Sequence, residues 1–352
     1  MLMKENQPLA PFTTFGIGGP ARWFVEAASE DDVAEAAVWA GDRGIAMFVL
    51  GGGSNLLVSD AGFNGLVLQV ALRGITAEAA VDSSCHKIYR VGGGEDWDGF
   101  VERSVRDNCA GIECLAGIPG TVGGTPVQNV GAYGQEVASG IERVRAFDLQ
   151  QHAFVEFTAA ECGFAYRTSR FNSTDRGRYV VTRVDYRLTL DGAPTLRYAD
   201  LQRTLQDNRQ ESAETSLVEV AAAVRRVRQS KGMLMVNDDP DCRSAGSFFK
   251  NPVVSDDQVK RIAEAGVKDP PRFPAGPGQV KLPAAWLIEQ AGFPKGYALG
   301  AAGISSRHTL ALINRGNATA DEILALASQI FTAVEAKFGI SLDVEPVLVG
   351  FR

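Results

Sequence analysis

Long apolar runs are missing from this chain. No segment approaches the roughly 18 consecutive apolar residues of a membrane-spanning helix, and the N-terminal MLMKENQPLAPFTTFGIGG has no stretch long enough for a signal peptide. A cytoplasmic location is expected. Blocks of like charge are also absent. The 35 Lys and Arg are dispersed among 42 Asp and Glu, for a formal net charge of −7, which excludes the electrostatic footprint of a nucleic-acid or membrane-surface binder. An anionic ligand must therefore be met by a local cluster. Cysteine is sparse: Cys85, Cys109, Cys114, Cys162 and Cys242 form an odd, scattered set with no CxxC pair, which argues against a disulfide framework and a zinc site. Reduced, mostly buried thiols and no metal are expected. Histidine is scarcer still, and His86, His152 and His308 lie outside every glycine-rich stretch.

What is present is enough for two or three domains: 352 residues, of which 45% are hydrophobic. In SEDDVAEAAVWAGDRG, Ser29 can cap a helix with Asp32 at its third position, and Val33, Ala36, Ala37 and Ala40 fall at helical spacing. DWDGFVERSVRDNCAG predicts a second helix, with Phe100, Val101, Ser104 and Val105 on one face. In RYVVTRVDYRLTL, Val184, Tyr186, Leu188 and Leu190 alternate with Arg183, Asp185, Arg187 and Thr189, the pattern of a half-buried strand. SLVEVAAAVRRVRQSKG carries a capping box, Ser216 with Glu219, and gathers Arg225, Arg226, Arg228 and Lys231 at its end, where cations complement a helix C-terminus. A Pro and Gly interruption, VKDPPRFPAGPGQVKLP, precedes a helix beginning near Pro283. A last long helix opens with a second capping box, Thr319 and Glu322, and SLDVEPVLVGF closes the chain as a strand.

Two glycine-rich stretches point to a ligand. GGGSN at 51–55 is followed by LLVSDAGFNGLVLQV, which reads as strand, turn and strand. A Rossmann dinucleotide fold needs its glycine turn to open a helix, so that fold is excluded. Consecutive N–H groups in a glycine turn still make an anion-binding concavity, although GGGSN alone is equally a plain tight turn. The second stretch, GIECLAGIPGTVGGTPVQNVGAYGQEV at 111–137, is too rich in glycine and proline for a regular element. Gln128, Asn129 and Tyr133 there offer amide and aromatic groups to a ring system. Together the two loops suit a large phosphate-containing cofactor held in an extended pose.

Further on, SAGSFFKNP at 244–252 frames one hydroxyl, Ser247, with two phenylalanines and a lysine. The glycine turn, AGIPGTVGG with QNVGAYG, the Tyr166–Arg167 pair, GSFFKNP and the terminal DVEP occur in one order, and with them the chain resembles the UDP-N-acetylenolpyruvoylglucosamine reductases over nearly its whole length. The resemblance implies an α+β protein with the FAD-binding fold of the PCMH/VAO type. Two FAD-binding subdomains (1–70, joined by the returning strand 341–352, and 71–230) would precede a C-terminal substrate-binding domain (231–340). It implies non-covalent FAD held by Gly51, Gly52, Gly53, Ser54, Asn55, Gly117, Ile118, Pro119, Gly120, Gly123, Gly124, Gln128, Asn129, Gly131, Ala132 and Tyr133. NADPH would be the hydride donor and a UDP-sugar enolpyruvyl ether the substrate, reduced to UDP-N-acetylmuramate for the peptidoglycan cell wall.

Within that resemblance Ser247 is the proton donor, with Arg167 and Glu345 as its catalytic companions. Lys250 and Asn251 lie at or near the nucleotide, Lys231 reaches phosphate or nicotinamide, and Gln290 stands on the substrate side. Tyr198, in APTLRYADL, resembles the tyrosine of an inserted segment that covers the substrate in one branch of the family. Asn172 departs from the pattern, since many members carry a basic residue there. No nucleic-acid or membrane partner is expected, and a monomer is. Two other readings fit the glycine loops alone: an FAD-dependent sugar or alcohol oxidase of the same fold, and a non-catalytic flavin or sugar-nucleotide binding protein.

Overall fold

The first helix forms where a capping box and a stripe of alanines ask for it. In the computed structural model, which describes residues 1–81, 83–206, 215–264 and 270–351, helix α1 is Glu30–Gly41, with Ser29 and Asp32 capping each other's backbone and Val33, Ala36, Ala37 and Ala40 buried. The chain divides into two compact units. The first comprises Met1–Gln7, Ala21–Gly53 and Asn64–Ser230, the second Pro8–Pro20, Ser54–Phe63 and Lys231–Arg352.

In the first unit a four-stranded sheet runs in the order Met3–Pro8, Pro20–Ala27, Phe63–Val70, Met47–Leu50, the last two strands being parallel. Helix α1 covers it, and the shared core takes in Phe147 and Val180 from the neighbouring sheet. That larger sheet is ordered Ala153–Thr158, Ile141–Asp148, Tyr179–Leu190, Ser83–Gly92, Ile75–Ala80. Helices α2 (Trp97–Arg106), α3 (Ala199–Gln206) and α4 (Leu217–Ser230) join its core with Trp97, Phe100 and Tyr186. Phe100 and Tyr186 pack at a tilt with centroids 4.9 Å apart, and each fully buried aromatic ring contributes roughly 2 to 3 kcal/mol of transfer free energy.

Tyr179–Leu190 departs from simple alternation. Val180, Val181, Val184, Tyr186 and Leu188 are buried, Leu190 is exposed, and Asp185 is buried against Arg183. The cause is that Val180 belongs to the core under α1 while Val181 and Val184 belong to the core under α2, so this part of the strand is covered on both faces. Four of the five cysteines are buried and Cys85 is exposed. Burial pushes the Cys114 and Cys162 thiols up to about 12, so neither is a nucleophile at neutral pH.

The second unit holds α5 (Asp256–Glu264), α6 (Ala284–Gln290) and α7 (Ala320–Phe338), the last capped by Thr319 and Glu322 and ended by Gly339 in the left-handed region. The Pro and Gly interruption is structured: Phe273–Gly276 and Gln279–Lys281 form a hairpin that pairs with Val253–Ser255. A two-residue turn ending in Gly278 at φ +67 allows the reversal that composition alone conceals. The first three residues of the Pro and Gly interruption, 267–269, lie outside the described residues. The terminal strand Val347–Val349 runs parallel to Leu56–Val58. A Cβ on Gly350 would stand 2.0 Å from the Gly62 carbonyl, so the two stretches touch backbone to backbone. An antiparallel sheet and a mixed one, with the helices outside them and not alternating with parallel strands, make the architecture α+β.

Candidate active site

The two glycine stretches of the first unit lie against each other. A Cβ on Gly52 would sit 2.5 Å from Gly120 Cα, and one on Gly51 would sit 2.9 Å from Thr121 Oγ1. Only a chain without side chains can pass there. Among the described residues the backbone N–H groups of Gly52, Gly53, Ile118, Gly120 and Thr121 donate to nothing, and the buried Thr121 hydroxyl has no hydrogen-bond partner. Buried polar atoms are ordinarily satisfied. A row of unused donors at a close-packed glycine contact, with an orphaned hydroxyl beside it, fits a ligand rich in acceptor oxygens such as a dinucleotide pyrophosphate.

Other expected cofactor residues are occupied within the protein. Gly123 N–H donates to Gly93 O at 2.7 Å, and a Cβ there would strike that carbonyl oxygen at 2.9 Å, so this glycine serves loop packing. Gly124 N–H bonds to Thr121 O at 3.0 Å. Gly117 N–H donates to Asp98 Oδ1 at 2.6 Å. Asn129, in the left-handed region at φ 45, gives its amide to Glu136 and the Ala165 carbonyl and receives Ala138 N–H, so it organises the loop. Pro119, Gln128 and Ala132 are partly exposed on the same stretch. Ser54 and Asn55 belong to the second unit, where Asn55 O accepts Val347 N–H at 2.9 Å and so steadies the terminal strand.

Arg228 carries a role that the sequence reading did not assign. Its Nε donates to Gly117 O at 2.9 Å. The side chain is buried, which lowers its pKa from the ordinary guanidinium value while the Tyr133 phenol and Asp98 oppose the shift. The signal was present: with Leu217, Val220 and Val224, position 228 continues the apolar stripe of α4, where a charge is out of place. Arg225 also does more than complement the helix end, pairing with Asp98 at 2.6 Å and Glu102 at 2.7 Å.

Arg167 stands at the tip of a two-residue turn closed by Ala165 and Thr168, with φ 54, a conformation costing an ordinary L-residue roughly 1 kcal/mol or more. Its Nη2 donates to Gly131 O at 2.8 Å. Asn172 holds that turn: Oδ1 receives Ser169 N–H and Nδ2 donates to Arg167 O at 3.1 Å. The departure from the family pattern at Asn172 thus has a structural use. Tyr198, 38% exposed, meets Tyr133 edge to face with centroids 5.4 Å apart. Glu113 ties down the segment before Tyr198 by accepting Thr195 N–H at 2.8 Å.

In the second unit the backbone brings two distant motifs into register. Glu345 N–H donates to Phe248 O at 2.9 Å, Lys250 N–H to Asp343 O at 2.8 Å, and Phe249 bridges Val344. The segment that carries Ser247 is therefore bridged, backbone to backbone, to the segment that carries Glu345. Both phenylalanines are buried, Phe249 edge-on to Phe331 at 5.2 Å, so they anchor this segment in the core. Ser247 itself is partly exposed, and among the described residues its hydroxyl makes no hydrogen bond. Asn251 Oδ1 accepts Ala284 N–H at 2.9 Å, capping the first turn of α6. Gln290 ends α6 exposed, its carbonyl taken by Lys337. Lys231 lies close enough to His308 to act on its charge. Among the described residues no group of His, Cys, Asp and Glu could hold a metal ion.

Known proteins resemble this chain over nearly its whole length. A family model described as the C-terminal domain of UDP-N-acetylenolpyruvoylglucosamine reductase matches residues 238–349, and one described as an FAD binding domain matches 21–150. The UDP-N-acetylenolpyruvoylglucosamine reductase of Thermobifida fusca is 46% identical, the alignment covering 98% of each chain; that of Streptomyces coelicolor is 44% identical over 98% of this chain and 90% of its own. The crystal structure of UDP-N-acetylenolpyruvylglucosamine reductase from Thermus caldophilus superposes with a TM-score of 0.67 at 27% identity, covering 99% of this chain and all of that one.

Proposed function

The chain belongs to the UDP-N-acetylenolpyruvoylglucosamine reductase family, and from that membership we propose that Ser247, Arg167 and Glu345 carry its reaction. The enzyme is an FAD-containing oxidoreductase that uses NADPH to reduce a UDP-sugar enolpyruvyl ether to UDP-N-acetylmuramate, a precursor of peptidoglycan. Its likeness runs the full length of reductases, so the oxidase and the non-catalytic binding protein are set aside. When bound, FAD supplies the two-electron relay between NADPH and the enolpyruvyl double bond. Gly51, Gly52 and Gly53, the 117–121 segment with its Thr121 hydroxyl, and Tyr133 would hold it.

Reduction of the double bond leaves negative charge at the carbon beside the carboxylate, and the rest of the chemistry falls to the protein. Ser247 gives that carbon a proton. An alcohol is a poor acid, so the transfer needs a strongly basic acceptor held close to it. Arg167, a fixed guanidinium on a constrained turn, stabilises the carboxylate where charge gathers. Glu345, held to an extended backbone by Pro346, orients or relays protons. Tyr198, Lys231, Lys250, Asn251 and Gln290 are assigned to the sugar nucleotide and the nicotinamide cofactor. We also read the protein as a cytoplasmic monomer with the three-part division 1–70, 71–230 and 231–340.

The observation that supports this reading is the backbone bridging of Phe248–Lys250 with 343–345, which brings the segment of Ser247, a hydroxyl without a hydrogen bond among the described residues, alongside the segment of Glu345. The two half-reactions, followed separately under anaerobic conditions, test it. Ser247→Ala should leave flavin bleaching by NADPH within about twofold, while recovery of colour with the enolpyruvyl UDP-sugar slows by roughly 10³-fold or more. Equal slowing of both halves would make Ser247 structural.

A further inference from the structure

One guanidinium in the second unit joins three stretches of chain. Arg307 donates through Nε to Asp241 Oδ2 at 2.8 Å and through Nη2 to Asp239. Asp241, only 6% exposed, also receives the Ser306 N–H at 3.0 Å and the Ser306 hydroxyl at 2.6 Å. Asp239 Oδ1 accepts Asp241 N–H at 3.0 Å. Gly232 closes on the pair from a third side. At φ +64, a Cβ there would lie 3.0 Å from Asp241 Cβ and 3.2 Å from Arg307 Nε.

The chain positions give this knot its meaning. Gly232 follows Lys231 directly, Asp241 opens the short segment that reaches Ser247, and Arg307 precedes by three residues the Leu310 carbonyl that receives Phe248 N–H at 2.8 Å. The Ser247 segment is therefore held from both ends by elements that Arg307 locks together. Two neutral contacts pin its middle, Asn314 N–H to Arg243 O at 2.9 Å and Thr14 Oγ1 to Ser244 O at 2.6 Å. Each of those is a single bond that fixes a distance. A planar guanidinium bonded to two carboxylates fixes an orientation as well.

We propose that Arg307, clamped between Asp239 and Asp241, is a positioning residue that sets Ser247 for proton delivery and carries Lys231 on the same clamp. The inference rests on the assignment of Ser247 as proton donor. Partly exposed ion pairs add little to global stability, so the clamp acts on geometry. A displacement of about 1 Å at a reacting group is worth on the order of 10²-fold in rate.

The test uses the FAD-loaded enzyme and stopped-flow absorbance of both half-reactions in Arg307→Ala, Arg307→Lys, Asp241→Asn, Ser247→Ala and the Arg307→Ala/Ser247→Ala double variant. Arg307→Ala should slow reoxidation by the enolpyruvyl UDP-sugar by about 10- to 100-fold, at unchanged flavin content. It should also raise the NADPH concentration for half-maximal reduction several-fold. Arg307→Lys should restore part of the rate, since it keeps the charge but loses the fork. On the Ser247→Ala background Arg307→Ala should cost nothing more, because the two act as a unit. If the losses multiply, or if Arg307→Ala reoxidises at the parent rate while Ser247→Ala does not, the clamp is not a positioning device. If Ser247→Ala itself reoxidises normally, the underlying assignment fails instead. Should Arg307→Ala fail to fold, Arg307→Lys and Asp241→Asn on the two backgrounds give the same comparison.

Discussion

Thr121 shows how a single side chain can be stable in the wrong company. Its hydroxyl is buried and unsatisfied among the described residues, facing the place where Gly51 lacks a side chain. A buried hydroxyl without a partner costs about 1 to 3 kcal/mol, so its presence points to a partner that arrives with the ligand. Thr121→Val keeps the shape and removes the oxygen. The flavin-free protein should become more stable by about 1 kcal/mol, while FAD binds roughly 5- to 10-fold more weakly. Thermal melts of the flavin-free protein and flavin titrations measure the two effects. A variant less stable without flavin and unaltered in flavin affinity would make the hydroxyl a packing group. Arg167 stores strain of a comparable size in its left-handed backbone, and in both residues a local cost sits where a function is assigned.

At the scale of elements, the helices were legible because their signals are local. Capping boxes at Ser29, Ser216 and Thr319 and apolar stripes on α1 and α2 lie within a few residues of what they determine. The hairpin Phe273–Lys281 was hidden, since proline and glycine announce a break whether or not strands flank it. Arg307 and the contact of Gly52 with Gly120 were illegible for a different reason: each depends on partners tens of residues away, which no spacing rule sees, whereas the place of Arg228 in the apolar stripe of α4 announced its burial but not its partner Gly117. Ser247 and Glu345 became legible as a pair only through family resemblance. The glycine contact yields a prediction of its own. Gly52→Ala puts a methyl 2.5 Å from Gly120 Cα, and backbone cannot yield as a flexible side chain would. The two loops must part, so the purified variant should hold less than about a tenth of the parent's flavin, with far-ultraviolet dichroism unchanged. Full flavin content would mean that the loops are free to separate.

For the whole molecule, the balance of buried and paired charges fixes how stability depends on pH. Arg145 holds the Glu30 carboxyl below its ordinary value, and Arg178 does the same for Asp148. At Asp107 burial pushes upward, but hydrogen bonds from Lys87, Tyr89 and Arg103 outweigh it and bring the group to about 2. These carboxylates contribute stability that is complete above their unfolded values near 4 and is lost as pH falls through the lower folded ones. His308 acts in a higher window. Burial lowers its imidazole pKa, Lys231 and Lys295 lower it further, Glu289 opposes them, and the result is about 4. Between about 6.5 and 4 the unfolded chain binds a proton there that the folded chain refuses, so stability falls as pH drops through that range. The contribution is on the order of 3 kcal/mol. Urea unfolding of the parent at a series of pH values should show a decline beginning near pH 6.5, well above the carboxylate range. His308→Gln should flatten the curve down to about pH 4 and leave the steeper loss below it. A variant that keeps the parent's slope between pH 6.5 and 4 would place the proton uptake on another group.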